Sequence, residues 1–194
     1  MHAFSRLTTF FFFVLSLSIF AYALPAPGTS GSLSTRDAKC DNVFAVVAEL
    51  KAKVDTCLLA TVKADTSAVV VAQLELVVGH LNDSAHEIAM VGSIADMDVA
   101  MKADLAAKVS AIIAVILKAC LKVSVKFGIQ VLLDILVKID AALKLLVVNV
   151  GACVDGVVVL IAKIVATTCA HIVADLNLKL CAEILVRAGV NISI

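Results

Sequence analysis

The sequence predicts an all-α protein, an up-and-down antiparallel bundle of about five or six helices stapled by disulfides. Three observations carry that expectation. From Ser110 to Ala174 the chain is almost wholly apolar, yet single charges interrupt it at steps of four, the spacing of one helix face. β-Branched residues are frequent there, but the strict alternation that marks a half-buried strand is absent. The six cysteines are an even number and none is paired in a CxxC.

Residues 1–23 read as a cleaved signal peptide: a short start with Arg6, an apolar stretch from Leu7 to Phe20, and Ala21-Tyr22-Ala23 as the small-residue cleavage site. Residues 24–38, with Pro25, Pro27, Gly28 and Gly31 among serines and threonines, bury too little apolar surface to offset their ordering entropy and read as a flexible N-terminal arm. Residues 39–190 then form a single helical domain. Its first helix is expected to be capped by Asp41 or Asn42, with Cys40, Val43, Val47, Leu50, Val54, Cys57 and Thr61 on one seam and the pairs Glu49–Lys53 and Lys51–Asp55 outside. A second starts at Thr66 or Ser67, weakens at Gly79 and Asn82, and ends near Met90. Gly92, Ser93 and Asp96 supply the connection and the next cap.

The third helix carries an Asp104–Lys108 pair, then the stripe Lys118, Lys122, Lys126, and stops near Gly128. From Ile129 to Asn149 the residues Gln130, Asp134 and Lys138, and then Asp140 and Lys144, step by four, so each Asp is expected to pair with the Lys one turn on. Gly151 and Gly156 bracket a turn. Lys163, Thr167, His171, Asp175, Lys179, Glu183 and Arg187 recur every fourth residue, a stripe that would wind by about 40° per step on a straight helix. A break near Asp175 to Asn177 is therefore expected, and a frayed tail from Gly189.

Secretion would place all six cysteines in an oxidising compartment. Cys40 and Cys57 stand roughly 25 Å apart along one helix, beyond the roughly 7 Å that a bridge spans, so they cannot pair. Alternating helices put Cys40 and Cys153 at one end and Cys57 and Cys120 toward the other, and a break near Asp175 returns Cys181 to Cys169. An unbroken last helix would instead favour Cys57 with Cys169 and Cys120 with Cys181.

The uncharged runs Leu145 to Val154 and Ile164 to Ala174 fall short of the roughly 18 residues of a membrane span. With Arg6 removed, 15 basic residues face 16 acidic ones, which gives no electrostatic footprint for nucleic acid. Asp65 to Asp98 holds six acids and no Lys or Arg, and Lys102 to Lys126 holds five lysines against Asp104, so neighbouring antiparallel helices are expected to carry complementary faces. His80, Asp83 and Glu87 share a helical spacing that suits a divalent ion, but a solvated polar face explains them more cheaply. Thr167, Thr168, His171 and Asp175 form the one cluster of a base beside hydroxyls, and nothing there activates a threonine. No phosphate loop, paired carboxylates or zinc motif occurs, so no enzyme activity, metal or cofactor is expected. Asn82-Asp83-Ser84 and Asn191-Ile192-Ser193 are N-glycosylation acceptors.

A cleaved leader, a more polar half to about Lys108, a very apolar half from Ser110, and isolated cysteines in place of the paired-cysteine pattern of hydrophobins together resemble a family of small secreted proteins of mushroom-forming fungi. The resemblance is architectural and spans the whole chain. It implies a cell-wall or extracellular-matrix protein that supports hyphal attachment and aerial growth, acting by adsorption to hydrophobic surfaces and self-association through apolar helices. A carrier of a lipid or small hydrophobic ligand and a membrane-active effector are the alternatives.

Overall fold

In the computed structural model, residues 31–95, 97–187 and 189 are described. The expected signal peptide, the first part of the arm, Asn191 and the end of the tail lie outside them. The chain divides into residues 1–32 and 33–194, and the architecture below is that of the second unit.

Every element among the described residues is a helix: α1 (Gly31–Lys63), α2 (Ser67–Val91), α3 (Val99–Phe127), α4 (Ile129–Cys153), α5 (Val157–Asp175) and α6 (Lys179–Arg187). Thr66 caps α2 by accepting from the Val69 amide at 3.4 Å, as the sequence predicts. α2 runs through Gly79 and Asn82 without a break. α3 is capped by Asp98, whose carboxylate accepts from the Met101 amide at 2.8 Å, so the cap falls later than the expected Asp96. Gly128, at φ 88°, ends α3 and starts α4 in a backbone conformation that L side chains rarely adopt. The expected break between α5 and α6 is present, with Asn177 in the left-handed region at φ 53°.

α1 begins well before Asp41 and Asn42, so neither caps it. Its seam is as expected: Cys40, Val43, Val47, Leu50, Val54, Cys57 and Thr61 are all buried.

Helices adjacent in sequence run in opposite directions, but the heaviest packing joins alternate helices, α2 with α4 and α3 with α5. Lys138 Nζ donates to Glu75 at 3.0 Å and Asn149 Nδ2 to the Ala85 carbonyl at 2.8 Å, which shows that α2 and α4 are parallel. Lys108 sits 5.8 Å from the centre of the Phe44 ring, and Lys126 Nζ donates to the Ala64 carbonyl at 2.7 Å, so α3 lies parallel beside α1. Two layers result, α1, α3, α5 and α2, α4, α6, with the apolar core between and within them.

Three local expectations are corrected. Lys138 turns to Glu75 on α2 and Lys144 to Glu183 on α6 at 2.9 Å, so neither pairs with the Asp one turn before it. Asp140 is buried instead, its two oxygens accepting from the Leu180 and Cys181 amides at 2.8 Å each; it caps α6 from another helix. Gly151 belongs to α4 and not to a turn, and its missing Cβ leaves the space that the Val158 side chain of α5 occupies. The pairs Glu49–Lys53, Lys51–Asp55 and Asp104–Lys108 form as expected. The complementary faces of α2 and α3 do not meet: Glu75 pairs with α4, and Asp83 and Glu87 act on Lys53 of α1.

Candidate functional site

α4 is apolar on nearly every side, so its burial pattern decides what it shows to solvent. Leu132, Leu136, Ile139, Leu143, Leu146 and Val150 face the core. The outward positions begin polar, with Gln130, Asp134 and Lys138, but continue as Val137, Ala141, Leu145, Val148 and Ala152, at helical steps of three and four. Val137 is 60% exposed, Leu145 43% and Val148 49%. The strip runs into a shallow depression of about 190 Å³ where Val147 and Val148 meet Val158 and Val159 of α5 and Ile184 of α6. In the same layer, α2 exposes Val69 and Leu76.

The layer of α1, α3 and α5 also exposes apolar side chains, among them Leu59, Val62 and Val125. Along α5, Lys163, Thr167, His171 and Asp175 of the four-residue stripe are exposed, as is Lys179 at the start of α6, while Glu183 is half-buried. Among the described residues one helix, α5, is long and apolar enough to cross a membrane, but its Ile161, Val165, Cys169 and Ile172 are buried in the fold.

No protein-family model matches this sequence, and comparison with curated proteins finds no match.

Among the described residues, no hydrogen bond or ion pair joins His171 to Thr167, Thr168 or Asp175. Thr167 and Thr168 give their hydroxyl protons to carbonyls of their own helix, Thr167 to Lys163 and Ile164 at 3.1 and 2.9 Å and Thr168 to Ile164 at 2.8 Å. No group of three or more metal-ligating side chains gathers among the described residues. Asn82 is exposed in the middle of α2, while Ser84 of the same sequon is buried.

No disulfide bond joins the six cysteines in this structure, and all but Cys181 are buried. Cys153 Sγ donates to the Gly92 carbonyl at 3.0 Å, Ile94 N donates to the Cys153 carbonyl at 2.8 Å, and Lys39 Nζ reaches the Ser93 carbonyl at 3.4 Å. Cys40, next to Lys39, and Cys153 thus gather at one connection. Burial pushes the Cys153 thiol up, Lys39 lowers it, and Cys40 raises it further, so the two sulfurs sense each other. Cys120 is completely buried and its thiol is pushed up to about 12. Cys181 rises well above the usual thiol range through burial and then the Asp140 charge.

Sequence reasoning missed the α4 strip and the role of Asp140. When a helix is apolar all round, periodicity does not mark which apolar side is wet.

Proposed function

We propose that this chain is a secreted structural protein of a cell wall or extracellular matrix, without enzyme activity, that adsorbs to hydrophobic surfaces and associates with itself through the outer face of α4. The observation that carries this reading is the strip Val137, Ala141, Leu145, Val148, Ala152, which is presented to solvent although the core beneath it is already filled. A connected apolar strip favours contact with another surface in a way that scattered apolar residues do not. With 15 basic against 16 acidic residues once Arg6 is removed, the secreted chain carries almost no net charge, so little long-range repulsion opposes crowding on that surface. The fungal attachment role implied by the architectural resemblance is consistent with this chemistry.

The interior carrier reading has less support. The cavity between α3, α4, α5 and α6, lined by Leu117, Leu143, Val165 and Ile184 among others, has a volume of about 20 Å³. That is about one water's worth, against roughly 300–1,000 Å³ for ordinary ligand pockets.

The test compares the mature protein with the double variant Leu145→Lys, Val148→Lys on a methyl-terminated quartz-crystal sensor and by sedimentation velocity. Both positions are exposed, so the fold survives, and the variant should adsorb less and remain monomeric. Equal adsorption and equal association would refute the assignment to α4.

A further inference from the structure

The lysine stripe of α3 gains a meaning when it is set against α1. Between these two parallel helices runs an open groove of about 540 Å³, floored by Leu58, Leu59 and Val62 of α1 and Val115 and Ala119 of α3. Asp55, Lys118 and Lys122 border it. The Asp55 carboxylate is held by Lys51 at 2.6 Å. Lys118 and Lys122, one turn apart and exposed, form no ion pair or hydrogen bond among the described residues, so the rim keeps a net positive charge over an apolar floor.

Two uncommitted ammonium groups beside a hydrocarbon trough fit a ligand with a carboxylate at one end and a long alkyl chain behind it. We propose that the α1–α3 groove binds one monomeric long-chain fatty acid, its carboxylate between Lys118 and Lys122 and its chain laid over Leu58, Leu59 and Val62. A second copy seated symmetrically on this groove would bring its own Lys118 and Lys122 against these two, a like-charge contact that disfavours it as the occupant. Each ammonium gives the carboxylate a charge-assisted hydrogen bond, while the alkyl chain covers Leu59, which is otherwise 63% exposed. This site is separate from the α4 strip and does not depend on it.

The experiment titrates delipidated mature protein with palmitate, below its aggregation threshold, by isothermal calorimetry and native mass spectrometry. Hexadecanol serves as the neutral probe of matched chain. One palmitate should bind per chain, and hexadecanol should bind about tenfold more weakly. Lys118→Gln with Lys122→Gln should weaken palmitate to the level of hexadecanol, and Leu59→Asp should abolish binding, with circular dichroism unchanged in each. Leu145→Lys with Val148→Lys should bind palmitate like the wild type. Equal affinity for the acid and the alcohol overturns the proposal, and so does palmitate binding that ignores both groove variants. Binding only to vesicles containing phosphatidic acid would make the lysines a membrane contact. A dimer abolished by Leu59→Asp, without palmitate binding, would make the groove an interface between copies.

Discussion

Replacing Asp140 with Ala should detach α6 from the fold while leaving the other helices in place. Asp140 is 5% exposed, and its two oxygens are the acceptors for the Leu180 and Cys181 amides. Truncation orphans two donors in a site that water enters poorly. At roughly 1–3 kcal/mol for each buried donor, with some relief as the short helix frays, the loss is about 2–4 kcal/mol. Asp140→Asn keeps one carbonyl acceptor and loses the charge, so about half of that is expected. Lys144→Met is the control: it breaks the half-exposed Lys144–Glu183 pair between the same two helices and should cost about 0–1 kcal/mol. Urea denaturation gives the ordering, and hydrogen exchange at Leu180 and Cys181 gives the location. The same substitution has a chemical signature. Asp140 raises the Cys181 thiol pKa, second to burial, so removing its charge should speed iodoacetamide labelling of Cys181 at alkaline pH. If Asp140→Ala shifts the denaturation midpoint no more than Lys144→Met, and the two amides keep their protection, the cross-helix cap is not what holds α6.

In the reduced protein, the buried Cys120 thiol makes stability fall at high pH. Below about pH 9 the thiol is neutral in both states and its contribution is complete; from there to about 12 only the unfolded chain ionises, and about 1.4 kcal/mol is lost per pH unit. Cys120→Ala should flatten that limb in pH-dependent urea titrations, and parallel slopes for the two proteins would refute the assignment. Ser110 is buried with no partner for its hydroxyl, so Ser110→Ala should raise stability by about 1 kcal/mol in the same assay; a loss would mean that the hydroxyl has a partner. Oxidised protein should yield a Cys40–Cys153 linked peptide in non-reducing mapping, because both residues gather at the Gly92–Ile94 connection. A Cys40–Cys57 link would contradict the helical register of α1.

The helical class and most inner faces were legible because burial follows a simple period. Val43, Val47, Leu50 and Val54 needed no partner to be recognised as a seam. Thr66, Gly128 and the break at Asn177 were equally local, since cap chemistry and left-handed backbone depend on the residue itself. What failed depended on distant residues. Asp134–Lys138 and Asp140–Lys144 obey the one-turn rule, but such pairs contribute only a few tenths of a kcal/mol and yield to Glu75, Glu183 and the free amides of α6. Asp96 and Asp98 are equally good caps on paper; Ile94 and Met97 are buried, and the helix starts after them. Of the groove, the sequence revealed the lysine stripe but not the α1 side chains opposite it.

The parallel register of α2 and α4 sets a timetable for synthesis. Glu75 meets Lys138 across 63 residues and Ala85 meets Asn149 across 64, so α2 lacks its most heavily packed partner until α4 has been made. At roughly 5–20 residues per second, that interval lasts about 3–13 seconds on the ribosome. For that time Val70, Leu74, Val77 and Leu81, fully enclosed in the finished protein, belong to a helix with an open side. Nascent chains of this protein are therefore most open to chaperone capture, and to mispairing with a neighbouring chain, between the emergence of α2 and that of α4.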